Sequence, residues 1–219
     1  MIVLALDTAL EACSAAVTDG ERVLAARSEM MARGHQERLG TLVRKVMAEA
    51  GVAFSTLDRV GVSVGPGSFT GLRVGLAFAK GLGFALDRPV VGVGTLEALA
   101  ASANGKRVAA VVDAKRGQFW VQVFEGGRPL TNPEALEPEA ATALLRTLLG
   151  DGQSTLIGSG AVVFASGLPH ARIAPRTAPD PAVIAGLIAA AEEPLAAPRP
   201  LYLRAPDAKL LGGRVLGAA

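Results

Sequence analysis

The chain has 219 residues, of which 50% are hydrophobic and 19% are charged, so its composition excludes a disordered protein. A formal net charge of +2 argues against strong autonomous binding to nucleic acid, and the single cysteine excludes a disulfide framework. The longest apolar run, at 182–191, is too short to span a bilayer, and the N-terminus lacks the basic region of a secretory signal. We therefore expect a soluble cytoplasmic protein that has no membrane partner.

The first half of the chain alternates between strand and helix patterns. Short apolar runs indicate strands, the Asp19-Gly20 pair indicates a turn, and Leu39 and Leu42 have the spacing of a helix face. The predicted elements are strands at 2–6, 12–18 and 22–28, a helix at 34–50, a strand at 60–64, a helix at 69–86, a strand at 90–93 and a helix at 95–103.

The second half repeats this order without sequence identity to the first. Its predicted elements are strands at 108–112 and 119–124, a short piece after Gly126-Gly127, a helix at 138–149, a strand at 155–157, a helix at 162–166, a strand at 172–174 and a helix at 181–191. The repetition predicts a duplicated α/β fold with two lobes and a cleft between them. We expect a first lobe at 1–103, a second lobe at 104–193, and a C-terminal connector and tail at 194–219 that packs on the first lobe.

The most informative segment, 65–75, is a glycine-rich loop between a predicted strand and a predicted helix. Such a loop can hold phosphate on free backbone N–H groups. However, it lacks the Lys-Ser/Thr pair of a P-loop and has one residue too many for a dinucleotide fingerprint. Two interpretations stay open, a tight turn or a nucleotide or phosphate site formed by Asp7, Thr8 and Ser68. Asp7, like Asp113 in the second half, ends a strand and either caps a turn or orients a phosphate-bound metal or water.

The helix predicted at 69–86 has an unusual surface, because Arg73 and Lys80 are its only charged residues. A helix whose surface is apolar on nearly every side must be buried on nearly every side by other parts of the protein or by a partner. Small residues recur at every fourth position and form a ridge, consisting of Gly67, Gly71, Gly75, Ala79 and Gly83. Interior glycines destabilise a helix, so close packing by another backbone is the expected compensation. That backbone belongs either to the same chain or, in the functional interpretation, to a second subunit.

Residues for independent catalysis are not evident in the sequence. The two histidines, His35 and His170, are far apart and belong to no metal-binding pair, so we predict neither a protein-built metal site nor a cofactor. His35 is expected to cap or line the start of a helix, and Cys13 is expected in the core. Trp120 and Tyr202 are isolated in sequence, which predicts no aromatic platform for bases.

The segment 65–73, Gly-Pro-Gly-Ser-Phe-Thr-Gly-Leu-Arg, closely resembles the signature of the TsaB (YeaZ) family. Members of this family are bacterial subunits of the machinery that makes threonylcarbamoyladenosine in tRNA. Further segments that resemble the family, in family order, are 4–8, 34–37, 94–100, 112–116 and 200–204. The chain departs mildly from the family at Lys115, where arginine is usual, and at Gln36, where serine is common.

The resemblance implies an actin-like ATPase (ribonuclease-H-like) fold and a non-catalytic role as partner of the catalytic subunit TsaD. Together with the ATPase TsaE, these subunits transfer a threonylcarbamoyl group to the adenosine next to the anticodon, so this chain would contact tRNA indirectly. It would form a homodimer when alone and use helices of the first lobe for contact. The interface residues predicted in this way are His35, Leu39, Leu42, Gly67, Phe69, Thr70, Gly71, Leu72, Arg73, Gly75, Phe78, Ala79 and Leu82.

Two other functions compete with this interpretation. A free-standing small-molecule kinase of the same superfamily would bind ATP without a partner. A metal-dependent peptidase is suggested by an old name for relatives of this group, but the lack of a histidine pair argues against it.

Overall fold

The computed structural model describes residues 1–150 and 152–203, which form two sheets with helices packed against them. The first set of elements is β1 (Val3–Asp7), β2 (Ala12–Thr18), β3 (Val23–Met30), α1 (His35–Ala50), β4 (Arg59–Gly65), α2 (Phe69–Leu86), β5 (Val90–Gly94) and α3 (Thr95–Ala101). The strand order is β3-β2-β1-β4-β5. Strand β1 pairs antiparallel with β2 and parallel with β4, so β1 lies at the centre of the sheet.

The second sheet repeats this central arrangement. Its elements are β6 (Arg107–Lys115), β7 (Gln118–Glu125), β8 (Arg128–Pro129), β9 (Glu134–Leu136), α4 (Pro138–Leu149), β10 (Ser154–Ile157), α5 (Ala161–Phe164), β11 (Ala171–Ala174) and α6 (Pro181–Ala189). The strand order is β11-β10-β6-β7-β8, and β9 also pairs with β7. Strand β6 pairs antiparallel with β7 and parallel with β10, as β1 does with β2 and β4. The predicted duplicated α/β fold is confirmed.

Helix α1 forms where the sequence predicts it. It begins after Gly34, whose φ is +88°, and ends at Gly51, whose φ is +66° and whose N–H donates to the carbonyl of Ala48 at 3.1 Å. Glycine suits both ends because it adopts the left-handed conformation at little cost. Apolar side chains at helical spacing, among them Leu39 and Leu42, pack into the core between α1 and the sheet.

Helix α6 packs against the first sheet and not the second. Ile184 and Ile188 belong to an apolar cluster with strands β1, β2 and β5, and a side chain on Gly61 would collide with Ile188. Arg59 donates to the carbonyls of Ile188 and Ala191 at 3.2 and 2.6 Å, which holds the end of the helix to β4. The division of the chain into lobes at 103/104 and 193/194 stays a proposal. That division assigns the helix predicted at 181–191 to the second lobe, whereas α6 packs on the sheet of the first lobe.

The described part of the C-terminal connector also lies on the first sheet. The N–H of Leu201 donates to the carbonyl of Val64 at 2.7 Å, and Pro198 lies against Gly92. The predicted tail after residue 203 lies outside the described residues.

Among the described helices, α2 is long and apolar enough to cross a membrane by length and composition alone. The fold supplies another reason for that composition. The buried residues of α2, including Leu72 and Leu76, pack in the hydrophobic cores of the protein. The helix is therefore an integral part of the first lobe.

Candidate functional site

The predicted ridge of small residues on α2 is covered by the same chain. A Cβ on Gly71 would lie closer than 3.0 Å to the carbonyl oxygen of Thr8, and a Cβ on Gly75 would lie 2.6 Å from the Thr8 hydroxyl. A Cβ on Gly83 would collide with Val90. The prediction that this ridge receives the backbone of a second molecule is therefore wrong, because the turn after β1 and the start of β5 already occupy it.

The structure divides the predicted interface residues into two groups. Those buried within the first lobe are Leu39, Leu42, Gly71, Leu72, Gly75 and Ala79. Those that are exposed or partly exposed are His35, Gly67, Phe69, Thr70, Arg73, Phe78 and Leu82. Only the second group has surface to offer a partner, because the first supports the packing of α1 and α2.

A different row of small residues faces outward on α2. Ala77, Gly81 and Ala85 recur at every fourth position and are exposed, and Phe84 beside them is 92% exposed. Apart from the neighbouring backbone of α2 itself, no described atom lies within 4 Å of where a Cβ on Gly81 would be. We call these four residues the outer face of α2. The sequence contained the same spacing, but it could not show which of the two rows the sheet would cover.

The glycine loop before α2 is closed onto the turn after β1. The N–H of Ser68 donates to the carbonyl of Ala9 at 2.8 Å, and the Ser68 hydroxyl accepts from the N–H of Gly71 at 3.3 Å. The N–H of Ala9 donates to Oδ1 of Asp7 at 3.0 Å. These backbone donors, which a phosphate would need, are thus engaged within the chain, and the tight-turn interpretation of the loop fits.

Asp7 is fully buried at the carboxyl end of β1, and its strand partner on β2 is Ser14. Burial raises the pKa of its carboxyl group above the ordinary value, although the bond from Ala9 and the nearby His35 lower it in part. Within residues 1–150 and 152–203 no three His, Cys, Asp or Glu side chains cluster as metal ligands would. Oδ1 of Asp7 caps the turn after β1 by accepting from the N–H of Ala9, whereas its Oδ2 has no hydrogen-bond partner among the described residues. The nucleotide or phosphate site predicted at Asp7, Thr8 and Ser68 stays a prediction.

A cavity of about 860 Å³ lies between the two lobes. The first lobe contributes residues 9–11, 32, 35, 66–69 and 73, the second contributes 112–115, 120, 159 and 177, and the connector contributes 201–203. The cavity thus lies at the carboxyl ends of the central strands, where ligands of α/β proteins bind. His35, Gly67, Phe69 and Arg73, predicted at a protein interface, line this cavity.

The cavity also gathers aromatic residues that are far apart in sequence. The rings of Phe69 and Tyr202 lie 5.2 Å apart at an angle of 41°, and Trp120 lines the same space. Tyr202, which is isolated in sequence, therefore has an aromatic neighbour in the structure, because the connector returns to the first lobe and carries Tyr202 to Phe69. The prediction of no aromatic platform for bases stays a prediction. Sequence spacing held no signal for this long-range contact.

One charged group joins the two lobes at the edge of the cavity. Nζ of Lys115 lies 3.4 Å from Asp113 in its own strand and 3.7 Å from Glu11 in the first lobe. Lys115 and Arg116 both have left-handed backbone conformations, with φ of +63° and +57°, in the turn between β6 and β7. Asp113 stabilises this turn by accepting from the N–H of Lys115 at 2.7 Å, so it serves as a turn cap as Asp7 does.

The chain is similar in sequence to proteins of tRNA modification. Residues 27–142 match the family model described as TsaD, tRNA N6-adenosine threonylcarbamoyltransferase. The tRNA threonylcarbamoyladenosine biosynthesis protein TsaB of Escherichia coli is 33% identical over 170 residues, which cover 73% of this chain and 72% of that protein. The chain belongs to the TsaB family. The family predicted from the segment 65–73 is thereby confirmed.

Other similar proteins extend the match along the chain. YeaZ from Pseudomonas aeruginosa has a TM-score of 0.79 and 32% identity, covering 92% of this chain and 99% of that one. A crystal structure described as similar to the peptidase YeaZ, also from P. aeruginosa, has a TM-score of 0.80 and 30% identity, with coverage of 93% and 99%. An uncharacterized Mycobacterium leprae protein is 38% identical over 95% of this chain, which spans 56% of that protein's length. The TsaB family therefore accounts for nearly the whole chain, and a free-standing kinase is not favoured.

Proposed function

We propose that this protein is the non-catalytic partner of TsaD in the biosynthesis of threonylcarbamoyladenosine in tRNA. The observation that carries the proposal is its membership of the TsaB family, because the E. coli relative is named for this biosynthesis. The match of residues 27–142 to a TsaD model supports a pairing between related lobes. The protein acts in the cytoplasm, and it contacts tRNA through the complex and not on its own.

The closed loop and the capped carboxylate support a role without catalysis. Ser68 and Ala9 use their N–H groups within the chain, and Asp7 is fully buried. A kinase needs free donors for the phosphates of its nucleotide, and a metal-dependent peptidase needs a cluster of metal ligands. In this proposal TsaD carries out the chemistry, and TsaE joins the assembly as a further subunit.

The outer face of α2 is the contact surface that we propose for TsaD. Small residues at Ala77 and Gly81 allow another helix to approach closely, and Phe84 provides an exposed aromatic anchor. An interior glycine destabilises a helix by about 0.8–1 kcal/mol relative to alanine, and no packing within the described chain explains Gly81. Thr70, Phe78 and Leu82, at helical spacing from these residues, border the face.

The same face serves the homodimer of the free protein. A helix face that is covered by a second copy cannot at the same time contact TsaD, so the homodimer dissociates when the heterodimer forms. TsaD should therefore convert a homodimer peak into a heterodimer peak in size-exclusion chromatography.

Two matched substitutions test the contact surface. Gly81 in α2 and Gly186 in α6 are both exposed helix-interior glycines. A Cβ at either would meet no described atom within 4 Å other than the neighbouring backbone of its own helix. Replacing either with leucine should raise or preserve stability, since leucine favours helix more than glycine does by roughly 0.5–1 kcal/mol. Gly81→Leu should abolish co-elution with TsaD and the modification of tRNA in a reconstituted reaction, whereas Gly186→Leu should preserve both.

The outcomes separate the surface from the function. If Gly81→Leu and Phe84→Ser both bind TsaD as the unmodified chain does, the outer face is not the interface, although the role as partner stands. If the unmodified chain neither binds TsaD nor supports tRNA modification, the proposed function fails. Phosphate transfer from ATP by the isolated chain would favour the kinase instead.

A further inference from the structure

Basic residues collect at one end of the second sheet. Because β11, β10 and β6 are parallel, all three strands begin at this end, where Ser154 of β10 is in register with both Arg107 and Ala171. Strand β7 ends and β8 begins at the same end, where Glu125 pairs with Arg128. Helix α4 ends there too, since its last turn contacts the start of β6. We call this surface the basic end, and it consists of the segments 104–107, 125–128, 146–154 and 167–172.

The basic end carries more positive charge than the whole chain. Its four segments contain five basic and two acidic residues and have a formal net charge of +3, whereas the entire chain has a net charge of +2. The rest of the chain is therefore slightly acidic. The charged residues of the basic end are Lys106, Arg107, Glu125, Arg128, Arg146, Arg172 and Asp151, of which the last lies outside the described residues.

Most of these cations have no carboxylate partner in the described part of the chain. Arg107 is the exception, because its Nε lies 2.9 Å from Glu125 and another of its nitrogen atoms donates to the carbonyl of Leu148 at 2.6 Å. The exposed basic residues that take part in no described ion pair within 4 Å are Lys106, Arg128, Arg146 and Arg172. Four positive charges at this end are therefore available to an external anion.

The shape of the basic end suits an extended anion. Four steps between neighbouring strands separate β11 from β8, which corresponds to about 19 Å at the usual strand spacing. A depression of about 290 Å³ opens on the same surface and is lined in part by Arg146, Ser154 and His170. A single small anion would contact only part of this surface, whereas a chain of phosphates can contact cations along its whole length.

The basic end is separate from the surfaces already described. Strand β6 runs from Arg107 at the basic end to Asp113 at the interlobe cavity, a distance of about 20 Å at the usual rise per residue. The outer face of α2 belongs to the first lobe and shares no residue with the basic end. A partner bound at the basic end therefore leaves the proposed contact with TsaD free.

We propose that the basic end contacts the sugar–phosphate backbone of tRNA within the complex with TsaD. This inference rests on the proposed function, which brings tRNA to the complex. A guanidinium donates two parallel hydrogen bonds to a phosphate, and such contacts position an RNA without reading its sequence. Four cations on a nearly neutral chain do not bind RNA strongly alone, so they add to the affinity of the complex. The contact with tRNA is then direct, whereas the family resemblance predicts an indirect one.

The affinity of the assembled complex for its substrate tRNA, measured by fluorescence anisotropy over a series of salt concentrations, tests the proposal. The test variant combines Lys106→Gln, Arg128→Gln and Arg172→Gln, whose side chains make no described hydrogen bond, so the fold should persist. Its complex should bind tRNA about tenfold or more weakly at low salt. Each phosphate contact contributes about 0.7–0.9 to the slope of log affinity against log salt, so the slope should become shallower by about 2 to 3.

A matched variant separates a local contact from a general effect of charge. Arg33→Gln, Arg88→Gln and Arg199→Gln together remove the same charge from exposed positions of the first lobe and the connector. This control should leave the tRNA affinity and its salt dependence unchanged. Both variants should co-elute with TsaD and unfold at the same temperature as the unmodified chain. Replacing Arg128 with glutamate in the test variant should weaken tRNA binding further, because the new charge repels phosphate.

Three results would overturn the inference while the proposed function stands. They are unchanged tRNA affinity of the test variant, equal losses in the test and control variants, and loss of co-elution with TsaD in the test variant alone, which would make the basic end a protein interface. If the unmodified chain and TsaD neither form a complex nor support tRNA modification, the proposed function fails and this inference fails with it.

Discussion

The hydroxyl of Thr8 donates a hydrogen bond to the carbonyl oxygen of Gly71 at 2.7 Å, in a fully buried position. The same hydroxyl lies where a side chain on Gly75 would have to go. The turn after β1 is thus packed directly on the backbone of α2. The contact with Thr8 therefore explains the glycines at 71 and 75 within the first lobe. It does not explain Gly81, which belongs to the face that we propose for the partner.

Substitution of Gly75 should reveal its packing against Thr8. Gly75→Ala places a methyl group 2.6 Å from the Thr8 hydroxyl, and we expect it to destabilise the protein by about 1–3 kcal/mol despite its better helix propensity. Thr8→Ala removes one hydrogen bond, which should cost about 1 kcal/mol of stability, but it also frees the space that an alanine at position 75 would need. The double variant should therefore be more stable than the sum of the single effects predicts, as measured by urea denaturation. Strictly additive effects would show that the two residues do not compete for space.

Two alanine substitutions on α2 should have opposite effects. Gly71→Ala places a methyl group against the carbonyl oxygen of Thr8. Because this oxygen belongs to the backbone, it cannot move away as a side chain could, and we expect the variant to lose about 3 kcal/mol of stability. In Gly81→Ala the new methyl group meets no described atom outside its own helix. We expect this variant to gain about 0.8–1 kcal/mol of stability through its better helix propensity. Thermal unfolding of both variants distinguishes them, and a stable Gly71→Ala variant would contradict the packing described here.

The stability of the protein should fall with rising pH because of Asp7. Burial raises the pKa of its carboxyl group above the ordinary value of 3.8. Between the ordinary and the raised pKa the folded state binds more protons than the unfolded state. The contribution of Asp7 to the stability of the folded protein is therefore full below pH 3.8 and is lost as pH rises through the raised pKa.

Asp7→Asn should remove this pH dependence, because the amide oxygen can still accept from the N–H of Ala9. We expect the variant to be at least as stable as the unmodified chain at pH 7 and to show a flatter profile in denaturation measured from pH 4 to 8. A large loss of stability at pH 7 would instead mean that the fold requires the charged carboxylate, as a bound cation would.

The thiol of Cys13 should be inert in the folded protein. The side chain is buried in β2, and burial is the main cause that raises its pKa to about 11. At pH 8 only about one thiol in a thousand is then ionised, and the thiolate is the reactive form. Because the chain has one cysteine, labelling by iodoacetamide should follow the fraction unfolded across a urea titration. Rapid labelling without urea would contradict the burial of this strand.

The contact of α6 with the first sheet should contribute strongly to stability. Ile188→Ala leaves a cavity against Gly61 and should cost about 2–4 kcal/mol. Arg59→Met removes the donors to the carbonyls of Ile188 and Ala191 and should cost about 1–2 kcal/mol, since the Arg59 side chain is only 13% exposed. Hydrogen exchange should show that both variants weaken β4 more than β10. Equal or greater weakening of β10 would place the helix on the second lobe.

Much of the fold was predictable because it depends on local patterns. The spacing of Leu39 and Leu42, the glycines at either end of α1 and the short apolar strands each indicate their own element. The repeated order of elements then predicts two lobes. The packing of α6 was not predictable in the same way, since its apolar residues suit either sheet and only the chain path brings Ile188 over Gly61.

The candidate site was predictable only in part. The segment 65–73 identifies the family, but Tyr202 meets Phe69 across more than a hundred residues of chain, and no periodicity predicts such a contact. The outer face of α2 had the same spacing of small residues as the buried ridge, so the pattern alone could not distinguish them.

The sequence by itself determined the elements, the duplicated fold and the family, because hydrophobic periodicity, turn residues and a specific signature act over short distances along the chain. Only the tertiary structure decided which side of α2 is covered, which sheet receives α6 and which residues enclose the interlobe cavity. Those outcomes depend on steric fit between segments distant in sequence, as when the turn at Thr8 fills the groove over Gly71 and Gly75 and leaves Gly81 and Phe84 exposed.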